Sequence, residues 1–132
     1  MIAITQDVLT GIINHAKHDL PNEACGYLSG KDGMITNSYA MTNVDRSPEH
    51  FSFDPAEQFS VMKKARKEGL EILANYHSHP QTPARPSVED IRLAYDPDIL
   101  YFIISLAVQA PEVKAFKIIN GIVNKIDIQI KN

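Results

Sequence analysis

A basic excess is missing from this chain: 13 Lys and Arg stand against 16 Asp and Glu, giving a formal net charge of -3 and a pI near 5.9. Duplex binding draws its strength from basic side chains that displace counterions, so a DNA-associated role is disfavoured and no nucleic-acid partner is expected. The densest basic run, Lys63-Lys64-Ala65-Arg66-Lys67, falls on an expected helix and is followed by Glu68 and Glu71, which reads as a solvated face. Cysteine is scarce too. Cys25 stands alone, so no internal disulfide can form, and a reducing cytoplasm fits. The opening residues Met1 to Asp7 lack the basic region and long apolar stretch of a secretory signal. The longest apolar stretch, Ile99 to Val108, is too short to span a bilayer and contains Tyr101 and Ser105, so no membrane partner is expected. Repeats, low-complexity tracts and linkers are also absent, which leaves one domain over 1–132. Its 44% hydrophobic and 22% charged residues describe a globular protein large enough to bury one core.

What is present is a regular alternation of helix and strand signals. Thr5 caps a helix whose apolar stripe is Val8, Leu9, Ile12, Ile13, Ala16 and Leu20, stopped by Pro21. Glu23 to Leu28 reads as a short strand, and Gly30 to Gly33 as a turn into a strand over Met34 to Met41. Asp54-Pro55-Ala56-Glu57 combines a capping aspartate, a proline at the first helical position and a glutamate three residues after the cap. That helix is expected to run to Glu68, with Gly69 as its left-handed stop. A strand over Leu70 to Ser78, a helix from Ser87 to before Pro97, and strands over Ile99–Ser105, Val113–Ile119 and Ile122–Ile130 complete the reading. Asn120-Gly121 marks a hairpin between the last two. The expected fold class is α/β: a mixed, mostly antiparallel sheet with helices packed against it.

One segment concentrates the chemistry. His77 and His79 are two apart on a strand and point the same way, with Cα atoms about 6.5–7 Å apart, so they can converge on one ion. Pro80, Pro83 and Pro86 restrict the loop that follows. Ser87 caps the next helix, which places Asp90 in its first turn, where the helix dipole favours an ionised carboxylate. Two imidazoles and a carboxylate form the protein ligand set of a catalytic zinc with a fourth position open to water, although other divalent ions can occupy such a set. Ser87 and Asp90 alone would be explained by a capping box. The conjunction with two histidines on one strand face favours metal. Hydrolysis also needs a proton carrier, and Ser78 is all that lies between the histidines. Glu23 opens an otherwise apolar strand, where a carboxylate is costly unless used or paired; a solvated strand-end glutamate is the alternative reading. His15, His18 and His50 converge on nothing and are expected at the surface, and Cys25 reads as a small buried residue rather than a functional thiol.

His-x-His, seven residues, Ser, two residues, Asp resembles the JAMM/MPN metalloprotease motif without gap or substitution. The segment Glu23 to Gly30 looks like the one holding that family's catalytic glutamate, and Asn43 through Phe53 with Asp54-Pro55 looks like its small prokaryotic members. The resemblance implies a curved sheet flanked by helices, similar to cytidine deaminases. It implies Zn2+ held by His77, His79 and Asp90, Glu23 as general acid/base, and Ser87 donating a hydrogen bond to the zinc water or the developing oxyanion. The implied reaction is hydrolysis of a peptide or isopeptide bond, with a ubiquitin-like sulfur-carrier protein ending in Gly-Gly as the expected substrate. A non-catalytic interaction module binding a ubiquitin-like partner is the alternative, but such domains typically lack a ligand that this chain keeps. Deaminase chemistry is disfavoured because the Pro-Cys-x-x-Cys half of that zinc site is missing.

Overall fold

In the computed structural model, which describes residues 1–132, the chain's alternating apolar pattern is resolved into eight strands and three helices around one sheet. In chain order these are β1 (Ile2–Thr5), α1 (Gln6–His18), β2 (Cys25–Lys31), β3 (Met34–Met41), α2 (Pro55–Lys67), β4 (Glu71–His79), α3 (Val88–Arg92), β5 (Leu100–Ser105), β6 (Glu112–Ile119), β7 (Ile122–Ile126) and β8 (Ile128–Lys131). The sheet order is β7-β6-β5-β4-β2-β3-β1-β8. It is a mixed, curved α/β sheet: β1 lies parallel to β3 and β8, β4 lies parallel to β5, and the remaining neighbours are antiparallel.

The three helix starts read from sequence, at Thr5, Asp54 and Ser87, are realised. Thr5 Oγ1 accepts from Val8 N, and Asp54 Oδ1 accepts from Ala56 N with Pro55 opening α2. Gly69 follows α2 at φ +75°, a conformation that favours a residue without Cβ. Val8, Leu9, Ile12 and Ala16 of α1 pack on one sheet face with Ile4, Leu28, Tyr76, Phe102 and Ile104. α2 covers Cys25, Tyr27 and Met41 on the opposite face, and the α3 region covers Tyr101, Ile103, Phe116 and Ile118 on that same face. A groove of about 920 Å³ remains between α2 and α3, with β4 as part of its floor.

Several expectations are corrected. β1 was not expected, because four residues carry too little alternation to signal a strand; parallel pairing on both sides creates it. The final strand is broken at Asp127, after which β8 leaves its hairpin and pairs with β1. α1 ends at His18 and leaves Leu20 47% exposed. α3 is only five residues long, and Glu23 lies ahead of β2 rather than opening it. His15 is half-buried rather than free at the surface. Its Nδ1 lies 2.7 Å from the Tyr76 hydroxyl and its Nε2 3.1 Å from Asp19 Oδ2, tying the end of α1 to the sheet. His18 and His50 are solvent-exposed, as expected.

Candidate metal centre and active site

The pleat of β4 sorts its side chains. Ala74 and Tyr76 enter the core beneath α1, while Asn75 and His77 face the groove; a bulge opposite Leu28 and Ser29 breaks the alternation before them, so that Leu73 packs toward the α1 core and Ile72 toward α2. His77 and His79 are 3% and 4% exposed, and their Nε2 atoms approach to 3.1 Å. Asp90, from the first turn of α3, brings Oδ2 to 3.1 Å from each Nε2. Three potential ligand atoms therefore form a near-equilateral triangle. In a tetrahedral zinc site with bonds of about 2.0–2.1 Å, ligand atoms sit about 3.3 Å apart. The donor chemistry also fits. His79 Nδ1 lies 2.9 Å from the Pro83 carbonyl, so Nδ1 carries the hydrogen and a neutral His79 turns its Nε2 lone pair toward the triangle. Two imidazole nitrogens and a carboxylate oxygen crowded this closely fit a divalent cation.

The loop between β4 and α3 positions the third candidate ligand, Asp90, through Ser87. Ser87 Oγ accepts from Asp90 N at 3.0 Å, and Ser87 N donates to Asp90 Oδ2 at 2.9 Å, a reciprocal capping box. Burial works against the Asp90 anion, but the two imidazoles and the Ser87 N–H outweigh it and hold this carboxyl well below the usual carboxylate range. Burial likewise opposes the cationic form of His79; Asp90 and the Pro83 carbonyl overcome it and raise the imidazole. The Ser87 hydroxyl accepts in the cap, which leaves its own hydrogen available to a group at the mouth of the site.

Glu23 is 3% exposed, and its Oε1 is buried without a hydrogen-bond partner. Burial pushes its carboxyl up to about 8, against the opposing pull of His79 and with a further push from Asp90 and Glu89. Its backbone is held from three sides. Its N–H donates to the Ser47 carbonyl at 2.8 Å, and its carbonyl accepts from Asn43 Nδ2 at 3.1 Å. Next to it, Ala24 N donates to Ser78 Oγ at 2.8 Å while Ser78 N donates to Ala24 O at 3.0 Å, locking the segment beside the histidines. Cys25 sits opposite His77 on β2 but is fully buried, and burial pushes its thiol up to about 12, which leaves it unreactive.

Three supporting residues escaped the sequence reading. Ser78 resembled a spacer, and only its inward pleat position marks it. Asn43 is a buried hub whose Oδ1 accepts from Asp45 N and Ser52 N and whose Nδ2 also reaches the His50 carbonyl at 3.0 Å. Phe51, carried on the loop that Asn43 organises, stacks on His77 at 4.7 Å between centroids. No local pattern could have paired Phe51 with a histidine 26 positions away.

Residues 5–119 match the model of a family described as prokaryotic homologs of the JAB domain. A CysO-cysteine peptidase of Mycobacterium tuberculosis is 32% identical over 133 residues, spanning 98% of this chain and 91% of the relative. A desampylase of Haloferax volcanii is 30% identical over 111 residues, spanning 79% of this chain and 80% of its own length. Among solved structures, a protein from Desulfitobacterium hafniense determined in solution superposes with a TM-score of 0.92 at 48% identity, covering 99% of this chain and 93% of that one. A JAB1/MPN domain protein from Archaeoglobus fulgidus shares the fold at 19% identity, with a TM-score of 0.69 and coverage of 99% and 100%.

Proposed function

The chain belongs to the family of prokaryotic homologs of the JAB domain, the small JAMM/MPN proteins, and from that membership we propose that it is a zinc-dependent peptidase acting at the C-terminus of a ubiquitin-like sulfur-carrier protein. The observation that carries the reading is the triangle of His77, His79 and Asp90 beside the buried, unpartnered carboxyl of Glu23. In this proposal the three residues of the triangle hold the ion. When bound, zinc in a three-ligand seat acidifies a water toward a pKa of about 7 and polarises a carbonyl. Glu23 takes the proton of the attacking water and returns it to the leaving amine. A carboxyl raised toward neutrality suits both halves of that transfer. Ser87 turns its free hydroxyl hydrogen toward the developing oxyanion, and the groove between α2 and α3 receives the carrier's extended tail. The substrate class is supported by relatives named for cleaving at a CysO–cysteine junction and for removing a conjugated modifier.

The test is Glu23→Gln in zinc-loaded protein, assayed on carrier fusions whose Gly-Gly end is joined to a cysteine or a short peptide. Hydrolysis is expected to fall by about 10²- to 10⁴-fold while metal content and fold persist. Wild-type rates in the variant would remove Glu23 from the mechanism.

A further inference from the structure

The groove has two chemically different ends. His77 and Asp90 line the end that holds the triangle. Glu71, at the start of β4, and Asp96 and Asp98, just ahead of β5, line the other. These two strands run parallel with Ala74 level with Leu100, so their starting ends lie side by side, six residues of β4 away from His77. All three carboxylates are solvent-exposed, and none forms a salt bridge within the chain. Arg66 on α2, the single lysine or arginine of the lining, pairs with none of them either. Each carboxylate stands beside an apolar neighbour that also lines the groove: Leu70 before Glu71, Tyr95 before Asp96 and Ile99 after Asp98. Tyr95 is 79% exposed.

Apolar walls capped by unpaired carboxylates are complementary to a side chain with an aliphatic stem and a cationic head, and they repel an acidic one. We propose that this end of the groove is a specificity subsite for a lysine or arginine in the carrier's tail, five or six residues before the cleaved bond. Its stem lies against Leu70, Tyr95 and Ile99, and its charge faces Glu71, Asp96 and Asp98. This inference takes its occupant from the peptidase reading and adds the feature by which the tail is selected. The strand sets the distance. Glu71 and His77 are about 18–20 Å apart along β4 once the bulge opposite Leu28 and Ser29 is allowed for, and an extended peptide spans that length in five or six residues. A leaving group of a single amino acid does not reach so far, so the side chain belongs to the acyl side of the bond. Ion pairs this exposed are individually weak and are screened by salt. Selection therefore needs the three carboxylates together, and it acts on substrate binding rather than on the chemical step.

The experiment uses zinc-loaded protein and carrier–cysteine fusions whose tails carry a lysine, an alanine or a glutamate at each position from the third to the eighth residue before the bond. Wild type is expected to show a KM about tenfold lower for lysine than for glutamate at the fifth or sixth position, with kcat within about threefold, and the difference should shrink at high salt. The double variant Glu71→Lys/Asp98→Lys, whose replaced side chains make no hydrogen bond or salt bridge in the chain, is expected to reverse the preference at that position with unchanged zinc content and secondary structure. Damage to the fold does not produce such a reversal. Equal KM values for lysine and glutamate at every position, or a lysine preference that survives the double variant, would overturn the subsite while leaving the peptidase standing. If loaded wild type cleaves no fusion, the peptidase reading falls, and fluorescence anisotropy of labelled ten-residue tail peptides ending in Gly-Gly decides the subsite. A lysine-selective affinity that the double variant reverses upholds it, and equal affinities for the lysine and glutamate peptides sink it.

Discussion

Glu23 shows how much a single residue can carry. Its carboxyl is raised from 4.5 to about 8 because burial strips its water and no donor replaces it. Between those values the folded, metal-free protein binds a proton that the unfolded chain has released, so stability falls as pH rises through that window. Below pH 4.5 both states are protonated and the penalty is absent. Above about 8 it is fully present, on the order of a few kcal/mol. Glu23→Gln has no proton to lose. Urea unfolding of the two metal-free proteins at pH 5 and pH 8 should therefore show the variant gaining on wild type as pH rises, and parallel curves would contradict the assignment. The anomaly of this residue was legible as a carboxylate in an apolar stretch, which made it the candidate proton carrier; the family resemblance strengthened that candidacy. The packing that isolates it, with Asn43, Ser47 and Ser78 gripping the flanking backbone, joins residues from distant parts of the chain and has no local signature.

Among the elements, those with chemical punctuation were readable and those made by pairing were not. α1 and α2 announce themselves through Thr5, Asp54-Pro55 and Gly69, whose roles are set by neighbours one to four positions away. β1 and β8 exist because each pairs with the other, a contact between chain ends that no window of sequence contains. The candidate metal ligands were legible for the first reason: His77 and His79 share a pleat, and Asp90 follows a cap. The loop over residues 42–53 was not, since its order depends on Asn43 bridging the Glu23 and His50 carbonyls and the Asp45 and Ser52 amides. Asn43→Ala removes those partners at once and should cost about 1–3 kcal/mol in chemical denaturation. Because Phe51 rides on this loop against His77, zinc affinity should weaken with it. A variant as stable as wild type would show that the loop is held by other contacts.

At the scale of the molecule, the sheet order explains where the site lies. β4 sits between β2 and β5, so the end of β4 carries the histidines while the segment preceding β2 delivers Glu23 alongside them. α2 and α3 stand apart on the same face and leave the groove open toward His77 and Asp90. Glu71, Glu89, Asp96 and Asp98 line that groove with Arg66 as its basic counterpart, so its approach is acidic. No helix is long and apolar enough to cross a membrane. The α/β class and the two sided coverage of the sheet follow from the order of elements, whereas the parallel junction of β1 with β8 emerges only when the chain has folded. The central claim is that this architecture assembles a metal centre, and metal content by mass spectrometry tests it without any substrate. Wild type purified with zinc supplied should carry about one zinc per chain, and Asp90→Ala should lose it while keeping its secondary structure. Wild type that stays metal-free under those conditions would contradict the account and return His77, His79 and Asp90 to a structural role.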